Sequence, residues 1–137
     1  MRLDEQQSRA RFARSPVARL ATVTPTGEPH LVPIVFAVVD DVLYSSVDAK
    51  PKTTTALRRL ANIAANPSVS VLVDHYTDDW TRLWWVRADG TARIAEPEED
   101  RIARQELTIR YPIYRDQPPP GPVLAIDITR WTGWSAS

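Results

Sequence analysis

Residues 17–24, VARLATVT, alternate apolar and polar positions with a β-branched bias, the period of a half-buried strand. Residues 25–28, PTGE, form a turn in which Gly27 supplies a permissive backbone. The next ten residues, HLVPIVFAVV (30–39), are almost wholly apolar and predict a second strand buried on both faces. Pro33 inside it has no ladder donor, which asks for an edge or a bulge. Asp40-Asp41 turns the chain into a third strand, VLYSSV (42–47). SVSVLVDHY (68–76) is a fourth, followed by the polar loop TDDW. RLWWVRADGTARIAE (82–96) is strand-like on both sides of Asp89-Gly90. That dipeptide marks either a hairpin or a glycine bulge in one long strand. VLAIDITRWTGW (123–134) is the last strand.

Three segments carry the helical period instead. LDEQQSRARFAR (3–14) opens with Asp4 and Gln7 at capping-box spacing and is stopped by Ser15-Pro16. In the segment that ends at Asn66-Pro67, Leu57, Leu60, Ala61 and Ala64 share one face, while Arg58, Arg59 and Asn62 face away. EPEEDRIARQELTIRY (96–111) has Pro97 at the first helical position and acids in its first turn. DQPPPGP (116–122) is a stiff loop. The expected fold is therefore mainly β (α+β), a six-stranded antiparallel sheet that curls and closes, with peripheral helices. The lack of a helix between the first three strands argues against a parallel doubly wound sheet. No repeat or linker divides residues 1–137, so one domain is expected.

Composition narrows the chemistry. Hydrophobic residues at 43% and charged residues at 25% suit a soluble globular domain. Seventeen basic residues balance seventeen acidic ones, which argues against a nucleic-acid coat or a polybasic membrane binder. There is no cysteine and only His30 and His75, so thiolate and histidine-rich metal centres are excluded. The opening residues MRLDEQQSRARF hold no apolar signal segment, and a cytoplasmic protein is expected.

Candidate chemistry gathers at SVDAKPKTTTALRRLANIAANP (46–67). Lys50 and Lys52 flank Pro51, and three threonines follow at the start of a helix. A helix N-terminus repels cations, so this arrangement suits an anion: ammonium groups, hydroxyls and free N–H groups make a phosphate cradle. A solvated loop with Thr53 as an ordinary N-cap is the plainer alternative. Arg58 and Arg59 extend the positive surface or simply face solvent. In DDWTRLWWVR, Trp80, Trp84 and Trp85 line an aromatic pocket or pack in a core or interface. Trp84 and Trp85 are adjacent and point to opposite faces of a strand. Trp131 and Trp134 cap the barrel, reach a neighbouring subunit or pack in the core. His30 and His75 read as ordinary strand histidines. No nucleophile–base pair or carboxylate pair stands out, so reactive chemistry would belong to a cofactor.

The order of these pieces resembles the pyridoxamine 5′-phosphate oxidase-like split barrels. ARLATVTPTGEPHLVPIVF is similar to that family's first hairpin. LYSSVDAKPK with the helix ending in NIAANPSVSVLVD is similar to its phosphate-binding segment, and LWWVRADGTARIAE and AIDITRWTGW continue the likeness. The resemblance is strongest to the actinobacterial branch that uses coenzyme F420, a deazaflavin. It implies a homodimer with two cofactor sites between the subunits and hydride transfer to a small unsaturated or aromatic substrate. It places the cofactor ring against the backbone of Val32, Pro33, Ile34 and Val35, and the phosphate side at Ser46, Lys50, Lys52 and Thr53. Arg58 and Arg59 would meet a polyglutamate tail, and Arg130 and Trp131 would border the partner's cofactor. FMN-using members usually carry an arginine in the second strand. HLVPIVFAVV has none, which favours the deazaflavin over FMN. The resemblance also selects one long bent strand at Asp89-Gly90.

Overall fold

The computed structural model describes residues 1–47 and 54–137. Asp4 caps α1 (Glu5–Arg14), accepting from the Gln7 N–H while the Gln7 side chain accepts from the Asp4 N–H. The strands are β1 (Arg2–Leu3), β2 (Ala18–Val23), β3 (Pro29–Ile34), β4 (Ala37–Val39), β5 (Val42–Ser46), β6 (Ser68–His75), β7 (Trp84–Ile94) and β8 (Val123–Ser135). Two further helices are α2 (Thr54–Ala65) and α3 (Pro97–Arg110). Every strand pairing is antiparallel, in the order β3-β2-β6-β7-β8-β5-β4, with β1 on β8.

That order closes the sheet. β3 and β4 are its two edges, yet only Val35 and Phe36 separate them in the chain. Laid flat at ~4.8 Å per strand, the edges of seven strands would lie roughly 29 Å apart. The three peptide units from Ile34 to Ala37 span at most about 11 Å. The sheet must therefore curl until its edges meet. The crossover is pinned where they do: Ser45 Oγ donates to the Val35 carbonyl (2.9 Å), the Phe36 N–H to Tyr111 Oη (3.1 Å), and Arg110 Nη1 to the Phe36 carbonyl (2.6 Å). Inside lie Leu20, Phe36, Leu43, Val71, Val86, Leu124 and Ile126, all fully buried.

β7 is the single long strand expected, with its register against β8 shifted at Asp89/Gly90. Asp89 pairs with Arg130 and Gly90 with Ile128, leaving Thr129 as the extra residue of a bulge on β8. The inward phase of β8 therefore changes from Leu124, Ile126 and Ile128 to Trp131, Gly133 and Ser135. A Cβ at Gly90 would stand 2.3 Å from the Asp127 carbonyl oxygen, so the close approach requires glycine.

Two expectations change. Residues 30–39 are not one strand buried on both faces but β3 and β4, broken at the crossover. Leu31 is 67% exposed, because β3 is an edge and turns one face outward. Pro33 does sit at that edge. With β1, this break makes eight strands among the described residues where six were expected. On α2, Asn62 does not face away. It is buried and its Nδ2 donates to Thr22 Oγ1 (3.1 Å), while Ala61 and Ala64 are exposed. Alanine costs little in water, so its helical spacing marks the inward face poorly; the buried amide is accommodated by its hydrogen bond.

Candidate functional site

The Ser45–Val35 hydrogen bond joins the end of β3 to the end of β5. It sets Val35 beside the end of β5, where Ser46 stands, and Val32, Pro33 and Ile34 lead up to it along β3, so five of the residues expected around a cofactor lie on these two strand ends. As an edge strand, β3 leaves one row of backbone groups free of strand partners among the described residues. Ser46 ends β5, opposite Val123. It is 7% exposed, and its Oγ has no hydrogen-bond partner among the described residues. A buried hydroxyl left unpaired costs stability, so this one is a donor in want of an acceptor. Lys50, Lys52 and Thr53 lie outside the described residues. Beyond them, Arg58 is exposed on α2. Arg59 is half-buried, its Nε has no partner among the described residues, and burial lowers its pKa. His30 pairs across from Thr22 and leaves its Nδ1 buried without a partner among the described residues, so it is not the satisfied strand histidine expected.

Arg130 and Trp131 fall on opposite faces of β8. Arg130 is exposed on the outer face across from Asp89. Trp131 lies beneath α1, edge-on to Phe12 at 5.3 Å with Arg9 5.8 Å from its ring, and its Nε1 donates to Asp41 Oδ1 (3.4 Å). Trp84 and Trp85 also part. Trp84 packs against the core and stacks with His75, whereas Trp85 faces outward across from Trp134. The outward face of β2, β3, β6 and β7 forms an open groove of ≈ 690 Å³ lined by Arg19, Leu31, Leu72, Tyr76, Trp85 and Arg87. Trp80 is 69% exposed and stands apart from the groove lining.

A second polar cluster is structural. Arg93 donates to both oxygens of Glu99 (2.6 and 2.9 Å) and to both of Asp127 (2.8 and 3.1 Å), and Tyr44 Oη donates to Glu99 Oε2 (2.7 Å). The Arg93 hydrogen bonds hold the Glu99 carboxyl down at about 2. Burial, with the Glu99 carboxylate beside it, pushes the Tyr44 phenol up to about 12. This cluster ties the start of α3 to the sheet. The sequence offered no signal for it, nor for Arg110 and Tyr111 at the crossover, because their partners are far away along the chain.

Among the described residues, no group of three His, Asp or Glu side chains is placed to hold a metal, and no helix is long and apolar enough to cross a membrane.

Comparison with known proteins agrees with this architecture. A family model described as pyridoxamine 5′-phosphate oxidase matches residues 4–135. Among solved structures, the chain is similar to a FAD-binding protein from Mesorhizobium loti, at 22% identity over 97% of this chain and 95% of that one, with a TM-score of 0.75. A conserved hypothetical protein from Mycobacterium tuberculosis is 24% identical over 98% and 86%, with a TM-score of 0.78. The FAD-binding protein of Mycobacterium smegmatis is 19% identical over 98% and 96%, with a TM-score of 0.69. No curated protein matches by sequence. The match over nearly the whole chain, on a curled antiparallel sheet whose edges meet at residues 35–36, shows that this chain belongs to the pyridoxamine 5′-phosphate oxidase family of split barrels.

Proposed function

We propose that the protein is an oxidoreductase that binds coenzyme F420 and serves hydride transfer between the reduced deazaflavin and a small unsaturated or aromatic substrate. The observation that carries this reading is the buried, unpartnered Ser46 hydroxyl beside the β3 edge. It supplies a donor where a phosphodiester would enter, at the head of the segment that carries Lys50, Lys52 and Thr53. When bound, the cofactor supplies the hydride chemistry. The chain's own contribution is to bind and orient. The backbone of Val32–Val35 backs the ring, and Ser46 with the lysines holds the phosphate. β3 carries no arginine, which favours the deazaflavin over FMN.

The same reading makes the active form a homodimer. The outward groove of β2, β3, β6 and β7 joins exposed Leu31 and Leu72 to Trp85, and Arg130 and Trp134 continue that face on β8. A second copy seated there covers this apolar surface and brings Arg130 towards the partner's cofactor. Trp131 is held under α1 and would act only by supporting Arg130.

Titration of coenzyme F420, followed by its fluorescence, tests the assignment. Lys52→Ala should weaken binding by about 1.5–3 kcal/mol, the loss of one charge-assisted contact. Equal dissociation constants for the variant and the native chain would remove Lys52 from the site. Light scattering that shows a monomer still able to bind cofactor would refute the dimer. A second reading, a flavin in place of the deazaflavin, draws support from the two similar structures described as FAD-binding. A flavin spectrum in the purified protein, with no affinity for F420, would establish it. Tight F420 binding without turnover on any acceptor would mark a cofactor carrier.

A further inference from the structure

The C-terminal half of α1 and the start of β2 run past the ends of β6 and β7 and line an open pocket of ≈ 330 Å³. That lies at the small end of the range for small-molecule sites, about 300–1,000 Å³. One side is aromatic: the Trp84 and His75 rings stack on each other with centroids 6.2 Å apart and planes 19° apart. The rest is basic. The Arg11 guanidinium stands 5.5 Å from the Trp84 ring, and Arg14 and Arg19 complete the lining.

The principal acceptors around this pocket are already engaged. The Ser15 carbonyl accepts from Arg110 Nη2 (2.9 Å) and the Pro16 carbonyl from Tyr111 Oη (2.9 Å). Ser15 Oγ donates to the Arg11 carbonyl (3.1 Å). Asp74, the one carboxylate in the lining, pairs with Arg19 at 3.7 Å. Among the described residues, neither Arg11 nor Arg14 is paired with a carboxylate. The pocket therefore offers unused donors and excess positive charge beside an aromatic wall.

We propose that this pocket binds a small aromatic carboxylate. The ligand's ring packs against the stacked Trp84–His75 pair and its carboxylate is held by Arg11 and Arg14. A guanidinium fork matches a carboxylate in geometry, and an aromatic face matches a ring. Arg19 is the cross-strand partner of Pro33, so the pocket lies one strand in from the β3 edge. It is defined without any cofactor, and its test needs none.

The experiment uses the full chain as purified, at constant ionic strength. Benzoate, benzyl alcohol and sulfate are titrated while NMR follows the Trp84 indole and the His75 ring. Saturable shifts of both groups are expected with benzoate, and none with benzyl alcohol. Arg14→Gln should weaken benzoate about tenfold. Arg14 is exposed and holds no carboxylate, so its loss does not threaten folding; Arg11→Gln is the second variant. The proposal is overturned if benzyl alcohol binds as well as benzoate, if both variants bind benzoate like the native chain, or if sulfate displaces benzoate at equal concentration.

Discussion

Glu99 makes acid stability a quantitative test of how α3 is fastened. Its carboxyl is held at about 2 in the folded protein against an ordinary 4.5, chiefly by the Arg93 hydrogen bonds and further by Tyr44. A depressed carboxyl pKa stabilises the fold fully above the unfolded value, and the contribution fades as pH falls from 4.5 towards 2. At ~1.36 kcal/mol per pKa unit, the ceiling is about 3 kcal/mol. Arg93 is 37% exposed and Asp127 47%, so water and salt screen part of the pairing and about 1–2 kcal/mol should be realised. The perturbation is Glu99→Gln, and the assay is urea unfolding of both proteins at pH 7, 5 and 3. The native chain should lose about 1–2 kcal/mol more than the variant between pH 5 and 3. Tyr44 gives an independent reading. Its raised pKa, about 12, contributes stability below pH 10 that is lost as pH rises towards 12, and its ultraviolet titration should move back towards 10 in the variant. If the two unfolding free energies fall in parallel with pH, the cluster does not fasten α3 in this way.

Other positions test other parts of the account. Ser46→Ala removes a buried, unsatisfied hydroxyl, so the cofactor-free protein should melt at the same or a higher temperature while F420 binds about tenfold or more weakly; a lower melting temperature with unchanged affinity would contradict this. Gly90→Ala drives a methyl into the Asp127 carbonyl and should cost about 1–3 kcal/mol in denaturant unfolding. Asn62→Ala strips the buried Thr22 hydroxyl of its partner and should cost about 1–3 kcal/mol, whereas Ala61→Ser on the exposed face should be nearly neutral.

Local patterns carried most of the fold. Alternation marked β2 and β6, Asp4 and Gln7 marked the start of α1, Pro97 the start of α3, and Asn66-Pro67 the end of α2. The turns at Gly27 and Asp40, both with positive φ, were legible for the same reason. What depends on the curling of the sheet was not legible. An apolar run reads alike whether it is central or at an edge, so β3 looked buried and its break from β4 was missed. Alanine spacing misplaced the inward face of α2, because a buried Asn62 depends on Thr22, forty positions away. The Ser46 neighbourhood was nominated as a candidate through a resemblance to a family. The Arg11–Arg14–Trp84–His75 pocket was not, since it forms only where α1 crosses the ends of β6 and β7.

The central claim is that the meeting of the β3 edge with the end of β5 is where the redox cofactor binds. A crystal structure of the protein grown with coenzyme F420 tests it most directly. The account predicts the deazaflavin ring against the backbone of Val32–Val35, its phosphodiester within hydrogen-bond reach of Ser46 Oγ, and a second subunit closing the site from the outward face of β8. A cofactor bound away from that edge, or Ser46 Oγ still unpaired with the cofactor in place, would contradict it.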